Sequence, residues 1–161
     1  MERLRMRKMV GIIGASEAGD ETRRLAEKVG RLVGQAGAIV VCGGLGGVME
    51  AAARGAKSEG GLTVGILPGN DRQDANAYID VVIATGVGYA RNAIIARTCD
   101  CLIAVGGQYG TLSEIGLGLA FGKRVVGLSS WALERGIVRA ASPEDAVEKA
   151  LAEPLPAGED R

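Results

Sequence analysis

Three stretches of the chain carry residues whose types and spacing could do chemistry. In Cys101-Leu-Ile-Ala-Val-Gly-Gly-Gln-Tyr-Gly-Thr-Leu-Ser-Glu114 an apolar run breaks into Gly106, Gly107 and Gly110, and a helix is predicted to start near Gly110 or Thr111. Glycines let backbone N–H groups approach a ligand without Cβ clashes. The first turn of a helix adds unpaired N–H groups and the positive end of its dipole, so this turn suits a phosphate. Thr111 falls in the turn and Glu114 one helical turn further. A second turn, Gly43-Gly-Leu-Gly-Gly-Val-Met-Glu-Ala-Ala-Ala53, offers Gly43, Gly44, Gly46 and Gly47 in the same way. The third stretch, Gly88-Tyr-Ala-Arg-Asn92, puts Arg91 and Asn92 in the first turn of another helix. A cation is unfavourable there unless an anion faces it, and the candidates are Glu114 and a ligand phosphate.

Neither glycine turn has the dinucleotide spacing G-x-G-x-x-G, and the Gly-Lys-Ser/Thr of a P-loop is absent. One glycine-rich turn alone is explained equally well as a tight strand-to-helix connection. Two in one small chain, both at strand carboxyl ends, would converge on one crevice of a parallel sheet. A third small-residue loop, Gly14-Ala-Ser-Glu-Ala-Gly19, with Gly14 and Ser16, is of the kind that closes over a ligand at that edge.

Composition limits the chemistry. The 161 residues contain no histidine, which removes histidine-based triads, histidine acid–base catalysis and the commonest zinc ligand sets. Nineteen basic and nineteen acidic side chains balance, so no net charge draws the protein to nucleic acid or membrane, and neither is an expected partner. The cysteines, Cys42, Cys99 and Cys101, are odd in number and come without a secretory signal, which predicts a reduced, cytoplasmic setting. Cys99-Asp-Cys101 lacks further ligands and reads as small core residues, so no metal site is expected.

The elements that must position these residues read as one α/β domain: a Rossmann-like, three-layer arrangement around a mostly parallel sheet of about six or seven strands. Apolar residues are 47% of the chain and aromatics 3%, so Val, Ile, Leu and Ala must build the core. Strands are predicted at 9–13, 38–42, 62–67, 79–83, 102–105 and 124–128, with a short last one at 137–138. Asp20 is expected to cap a helix burying Leu25, Val29, Leu32, Val33 and Ala36. The segment 72–78 reads as mobile. A helix over 89–97 is expected to turn Ile94, Ile95 and Thr98 inward, and Ser129 to Trp131 to stand at the crevice edge. The helix through Ile115 to Phe121 is apolar on more than one face, which predicts a homo-oligomeric interface. Ser142-Pro-Glu-Asp145 is a helix start. The domain is expected to span 9–153, between a flexible basic arm (1–8) and a disordered tail (154–161).

With the motifs Gly43-Gly-Leu-Gly-Gly-Val-Met-Glu, Gly88-Tyr-Ala-Arg-Asn and Gly106-Gly-Gln-Tyr-Gly-Thr-Leu-Ser-Glu in this order, the chain from Met9 to about Leu151 resembles the LOG-like superfamily once mislabelled as lysine decarboxylases. That superfamily includes the LOG cytokinin-activating phosphoribohydrolases and the molybdenum cofactor carrier proteins, and the wording of the motifs is most similar to the carrier branch. The resemblance implies a Rossmann-like sheet, a dimer or tetramer, and a phosphorylated small molecule in the crevice: a nucleotide or the molybdenum cofactor, with no cofactor required. It further implies that Glu114 and Arg91 occupy the positions of the LOG catalytic pair, while Val105 and Asn92 stand where LOG enzymes have Pro and Lys. Two functions follow, a carrier or a nucleoside 5′-monophosphate phosphoribohydrolase. A structural oligomer with Glu114 ion-paired to Arg91 and no ligand is the third reading. Lysine decarboxylation is rejected, because none of Lys8, Lys28, Lys57, Lys123 and Lys149 lies in a motif suited to a Schiff base.

Overall fold

The structure, a computed structural model, describes residues 6–153. The tail predicted at 154–161 and the first five residues of the predicted arm lie outside the described residues. The last two residues of that arm are tied to the fold: Arg7 Nε donates to the Gly37 carbonyl at 2.7 Å, and the Lys8 carbonyl accepts from Ile39 N–H at 2.8 Å.

Seven strands, β1 (Met9–Ile13), β2 (Ile39–Cys42), β3 (Thr63–Leu67), β4 (Val81–Ala84), β5 (Cys101–Val105), β6 (Arg124–Leu128) and β7 (Ile137–Ala140), form one sheet in the order β4-β3-β2-β1-β5-β6-β7. Every neighbouring pair is parallel, so the sheet is wholly rather than mostly parallel. Helices α1 (Asp20–Gln35), α2 (Val48–Ser58) and α5 (Pro143–Leu151) cover one face over Val10, Ile12, Val40, Ile103 and Val126. Helices α3 (Arg91–Thr98) and α4 (Tyr109–Ala120) cover the other over Ile13, Val41, Ile66, Leu102 and Val125. Cys101, the first residue of β5, belongs to the first core, and Cys99, the C-cap of α3, to the second.

The chain winds outward from β1 to β4, then returns to lay β5 on the other side of β1. That reversal opens a crevice at the carboxyl ends of β1 and β5, the position where doubly wound sheets bind ligands. Each loop with candidate chemistry leaves or approaches this edge.

Several local expectations change. Asp20 does not cap α1: Gly19 is the N-cap, and the Asp20 carboxylate, inside the first turn, accepts from Arg23 at 2.8 Å. The buried stripe of α1 runs through Ala26, Val29, Gly30, Val33 and Gly34, whereas Ala36 is the exposed C-cap. Leu25 and Leu32 pack against the same core, partly buried, and the stripe widens to the glycines because α1 meets α2 almost backbone to backbone. A Cβ on Gly30 would collide with the Ala52 carbonyl, and one on Gly55 with the Glu27 carbonyl. Helix α3 is short and buries Arg91, Asn92, Ile95 and Ala96, which turns Ile94 and Thr98 to solvent. Strand β4 begins two residues later than expected, at Val81. The segment 72–78 is held against the second glycine turn, where Asn76 donates from its backbone N–H to the Gly44 carbonyl at 2.9 Å and from Nδ2 to the Leu45 carbonyl at 2.8 Å. The start of α5 is as read: Ser142 Oγ accepts from Asp145 N–H, with Pro143 first in the helix.

Two helical glycines should respond oppositely to the same change. Gly116→Ala, with open space at the Cβ position, should stabilise the fold by about 0.5–1 kcal/mol through helix propensity. Gly30→Ala should destabilise it by about 1–3 kcal/mol, because α1 and α2 must move apart. Chemical denaturation midpoints of the two variants check both signs.

Candidate functional site

A cleft of about 390 Å³ lies at the carboxyl edge. Its floor is Ile12 and Ile13, the end of β1, followed by Gly14, Ala15 and Ser16. Gly43, Leu45 and Met49 enter from the turn after β2, Pro68 from the loop after β3, and Gly88, Tyr89, Arg91 and Asn92 from the approach to α3. Gln108, Gly110, Thr111 and Glu114 come from the turn after β5 and the first turns of α4.

The start of α4 is open. Its N-cap, Gln108, makes no side-chain cap and its first turn carries no acidic residue. The N–H groups of the first turn therefore remain for a ligand, beside the Thr111 hydroxyl. The helix begins at Tyr109, one residue ahead of the expected start.

Facing this terminus, Arg91 and Glu114 are buried, with side chains 11% and 7% exposed. The closest approach of Arg91 Nη1 to Glu114 Oε1 is 3.6 Å, too long for a hydrogen bond. The guanidinium instead donates from Nη1 to Asn92 Oδ1 at 2.9 Å. Asn92 Nδ2 donates to Ser113 Oγ at 3.1 Å, and the Ser113 hydroxyl donates to the Gly110 carbonyl at 2.7 Å. A chain of hydrogen bonds thus joins the buried cation to the turn that would hold an anion. Arg91 Nε is buried and has no partner among the described residues.

Burial dominates the electrostatics. It pushes the Glu114 carboxyl from 4.5 up to about 7, with Arg91 acting in the opposite direction. Burial also pulls the Arg91 pKa down while Glu114 opposes it, and an arginine remains charged under any such shift. Near neutrality the pair therefore holds a fixed positive charge beside a carboxyl that can take or give a proton. Burial raises the Cys42 thiol to about 11, so this neighbour of the pair is no nucleophile.

The predicted site residues divide into two groups. Gly14, Ser16, Gly43, Arg91, Asn92, Gly110, Thr111 and Glu114 meet in the cleft. Gly44, Gly46, Gly47, Gly106 and Gly107 do not line it; they shape the turns behind it. Gly47, at φ 59°, lies against the backbone of Ala15 and Ser16 and lets Val48 N–H donate to the Ala15 carbonyl at 3.0 Å. Gly106, at φ 57°, donates to the Leu128 carbonyl. Gly43 makes room for the cation, since a Cβ there would stand 2.6 Å from Arg91 Nη1. Ser129 to Trp131 do not line the cleft either. Trp131 Nε1 donates to the Gln108 carbonyl at 3.2 Å and so braces the turn from outside. Tyr89, Met49 and Ser113 were not singled out from the sequence. Tyr89 stood inside a quoted motif, but nothing in residue spacing showed that it would face the cleft.

Comparison with known proteins places the chain. The family model for the SLOG cluster4 family matches residues 7–153, and the chain belongs to that family. The molybdenum cofactor binding protein from the phototrophic bacterium Rippkaea orientalis superposes with a TM-score of 0.85 at 34% identity, over 89% of this chain and 95% of that one. The molybdenum cofactor carrier protein of Chlamydomonas reinhardtii superposes with a TM-score of 0.81 at 30% identity, over 92% of this chain and 100% of that one. A cytokinin riboside 5′-monophosphate phosphoribohydrolase of Arabidopsis thaliana, LOG5, is 35% identical over 79 residues, which are 48% of this chain and 35% of that protein. These findings bear out the resemblance to the LOG-like superfamily and its carrier branch.

The raised Glu114 pKa fixes the sign of a pH effect. Unfolded, the carboxyl ionises near 4.5; folded, it keeps its proton until about 7. Its contribution is fully present below pH 4.5 and is lost as pH rises to about 7, for a total of about 3 kcal/mol. Glu114→Gln has no such step, so the stability of this variant relative to wild type should rise between pH 5 and pH 8 in paired denaturation curves. A constant difference would mean that Glu114 is ionised in the folded protein throughout.

Proposed function

We propose that this SLOG cluster4 chain binds a phosphorylated small molecule of the nucleotide or molybdopterin type and acts as a carrier. The observation that supports this most is the uncapped start of α4 facing buried Arg91 across the cleft. Backbone N–H groups and a fixed cation on opposite sides suit a phosphate ester. The likeness to the Rippkaea and Chlamydomonas proteins supports the molybdenum cofactor as the cargo class. In this reading the first turn of α4 with Thr111 takes the phosphate, Arg91 supplies charge, and Asn92 and Ser113 hold Arg91 in place. Gly14 and Ser16 close the cleft from the β1 side. The carrier is a cytoplasmic homo-oligomer, and among the described residues no helix is long and apolar enough to cross a membrane.

A second reading, hydrolysis of the N-glycosidic bond of a nucleoside 5′-monophosphate, is favoured by one observation: a buried carboxyl near pKa 7 can act as acid or base at neutral pH. Glu114 would stabilise the oxocarbenium-like ribose or position the water, and Arg91 would orient Glu114. Val105 and Asn92 stand where the LOG motif has Pro and Lys, and these departures weigh against hydrolysis more than against the ligand site.

Two measurements test the proposal. Thr111→Asp should lower affinity for guanosine 5′-monophosphate more than tenfold by repulsion, while circular dichroism shows an intact fold; undiminished affinity would move the phosphate away from α4. Incubation with purine nucleoside 5′-monophosphates should leave them intact under the carrier reading. Release of free base and ribose 5-phosphate that disappears in Glu114→Ala would establish the hydrolase instead.

A further inference from the structure

The chain contains only three tyrosines and one tryptophan, and Tyr89, Tyr109 and Trp131 gather at the rim of the cleft. Tyr89 lines it and is nonetheless 85% exposed; Tyr109, 81% exposed, opens α4; Trp131 lies with its ring centroid 6.0 Å from that of Tyr109. Large rings are normally covered in a folded chain, and here the core holds none. The backbone explains how Tyr89 is presented. It occupies a 3-10 turn, Gly88–Ala90, behind two glycines in the left-handed region, Gly86 at φ 66° and Gly88 at φ 59°. Two residues later Arg91 points inward and is buried. The ring of Tyr89 rests against the phosphate turn, with its Cε1 3.9 Å from where a Cβ on Gly110 would stand. Leu45, Met49 and Pro68 give the same cleft an apolar side. The site therefore combines an anion-binding helix start, an uncovered aromatic face beside it and an apolar wall.

We propose that Tyr89 stacks on the planar heterocycle of the bound molecule, so that the site selects aromatic phosphates over aliphatic sugar phosphates. This deepens the phosphate-binding reading above and rests on it. The phosphate meets the first turn of α4, and the ring lies under Tyr89 toward the apolar side. Stacking is tolerant of ring identity because every heterocycle has a π face, so Tyr89 sets the class of ligand rather than the individual.

Calorimetric titration of wild type, Tyr89→Ala and Tyr89→Phe with guanosine 5′-monophosphate and with ribose 5-phosphate tests this, the nucleotide being checked for breakdown after each run. Wild type should bind the nucleotide about tenfold or more tighter than the sugar phosphate. Tyr89→Ala should remove most of that preference without changing affinity for ribose 5-phosphate, and Tyr89→Phe should keep it. Quenching of Trp131 fluorescence by the nucleotide should follow the same order. A wild type without preference, or a Tyr89→Ala variant that keeps it, overturns the stacking role while phosphate binding stands. An equal fall for both ligands, with or without a change of mass in light scattering, assigns Tyr89 to the frame or to a contact between copies and also overturns it. If wild type binds neither compound, the phosphate reading falls and this inference with it.

Discussion

A single guanidinium held almost dry at the carboxyl edge of the sheet is the constraint on which the rest of the site depends. Taking a charge out of water is expensive unless it is paired and hydrogen-bonded. Arg91 is only partly provided for: Nη1 has Asn92, Glu114 stands 3.6 Å away, and Nε has no partner among the described residues. The surrounding sequence is shaped to tolerate this. Gly43 leaves space for the guanidinium, and Asn92 spends its amide on both Arg91 and Ser113. A buried guanidinium so incompletely paired costs stability on its own, and under the proposed reading a bound anion would offset that cost. Arg91 and Glu114 form the ion pair considered from the sequence, at 3.6 Å and without a hydrogen bond between them.

The fold supplies the rigidity that this arrangement needs. A parallel sheet covered on both faces fixes the ends of β1, β2 and β5, and the close contact of α1 with α2 through Gly30 and Gly55 locks the loop between β1 and α1 over the start of α2. Val48 N–H bonds to the Ala15 carbonyl, which ties the first glycine-bearing loop to the second. Glycine does two jobs in this chain. At Gly43 and Gly47 it opens space around a site, and at Gly30 and Gly55 it lets two helix backbones touch.

Much of this could be read from residue order, and the failures have physical causes. Short apolar, β-branched runs mark the parallel strands, and those of β1, β2 and β5 run straight into glycine, so the strands, their shared edge and the convergence of Arg91, Thr111 and Glu114 were legible. Helix faces were legible only in part. In α1 Val29 and Val33 are buried and Leu25 and Leu32 pack against the same core, but apolarity does not reveal that Gly30 and Gly34 are buried too, because closeness of backbones rather than side-chain area decides the interface with α2. In α3 polar Arg91 and Asn92 take buried positions that an apolar pattern would give to Ile94 and Thr98. Five predicted glycines fell behind the cleft because composition marks a turn without saying which side of it faces a ligand. Tyr89 was missed for the opposite reason: exposure of an aromatic ring is a tertiary fact, invisible to spacing.

The raised pKa of Glu114 ties ligand charge to proton uptake. Around neutrality the carboxyl shares its site between protonated and ionised forms, so the charge of the pair moves between about plus one and zero. A phosphate dianion arriving at α4 adds negative charge next to a carboxyl already disfavoured by burial, and like charge raises that pKa further. Under the proposed phosphate-binding reading, binding would therefore draw a proton onto Glu114 and relieve the repulsion that an ionised carboxylate would exert. A lysine at position 92 would work against this by stabilising the ionised form, whereas the asparagine present leaves Arg91 as the nearby cation. Of the two positions, 92 and 105, at which this chain departs from the LOG motif, Asn92 is the one that leaves the protonation of Glu114 governed by burial and by Arg91.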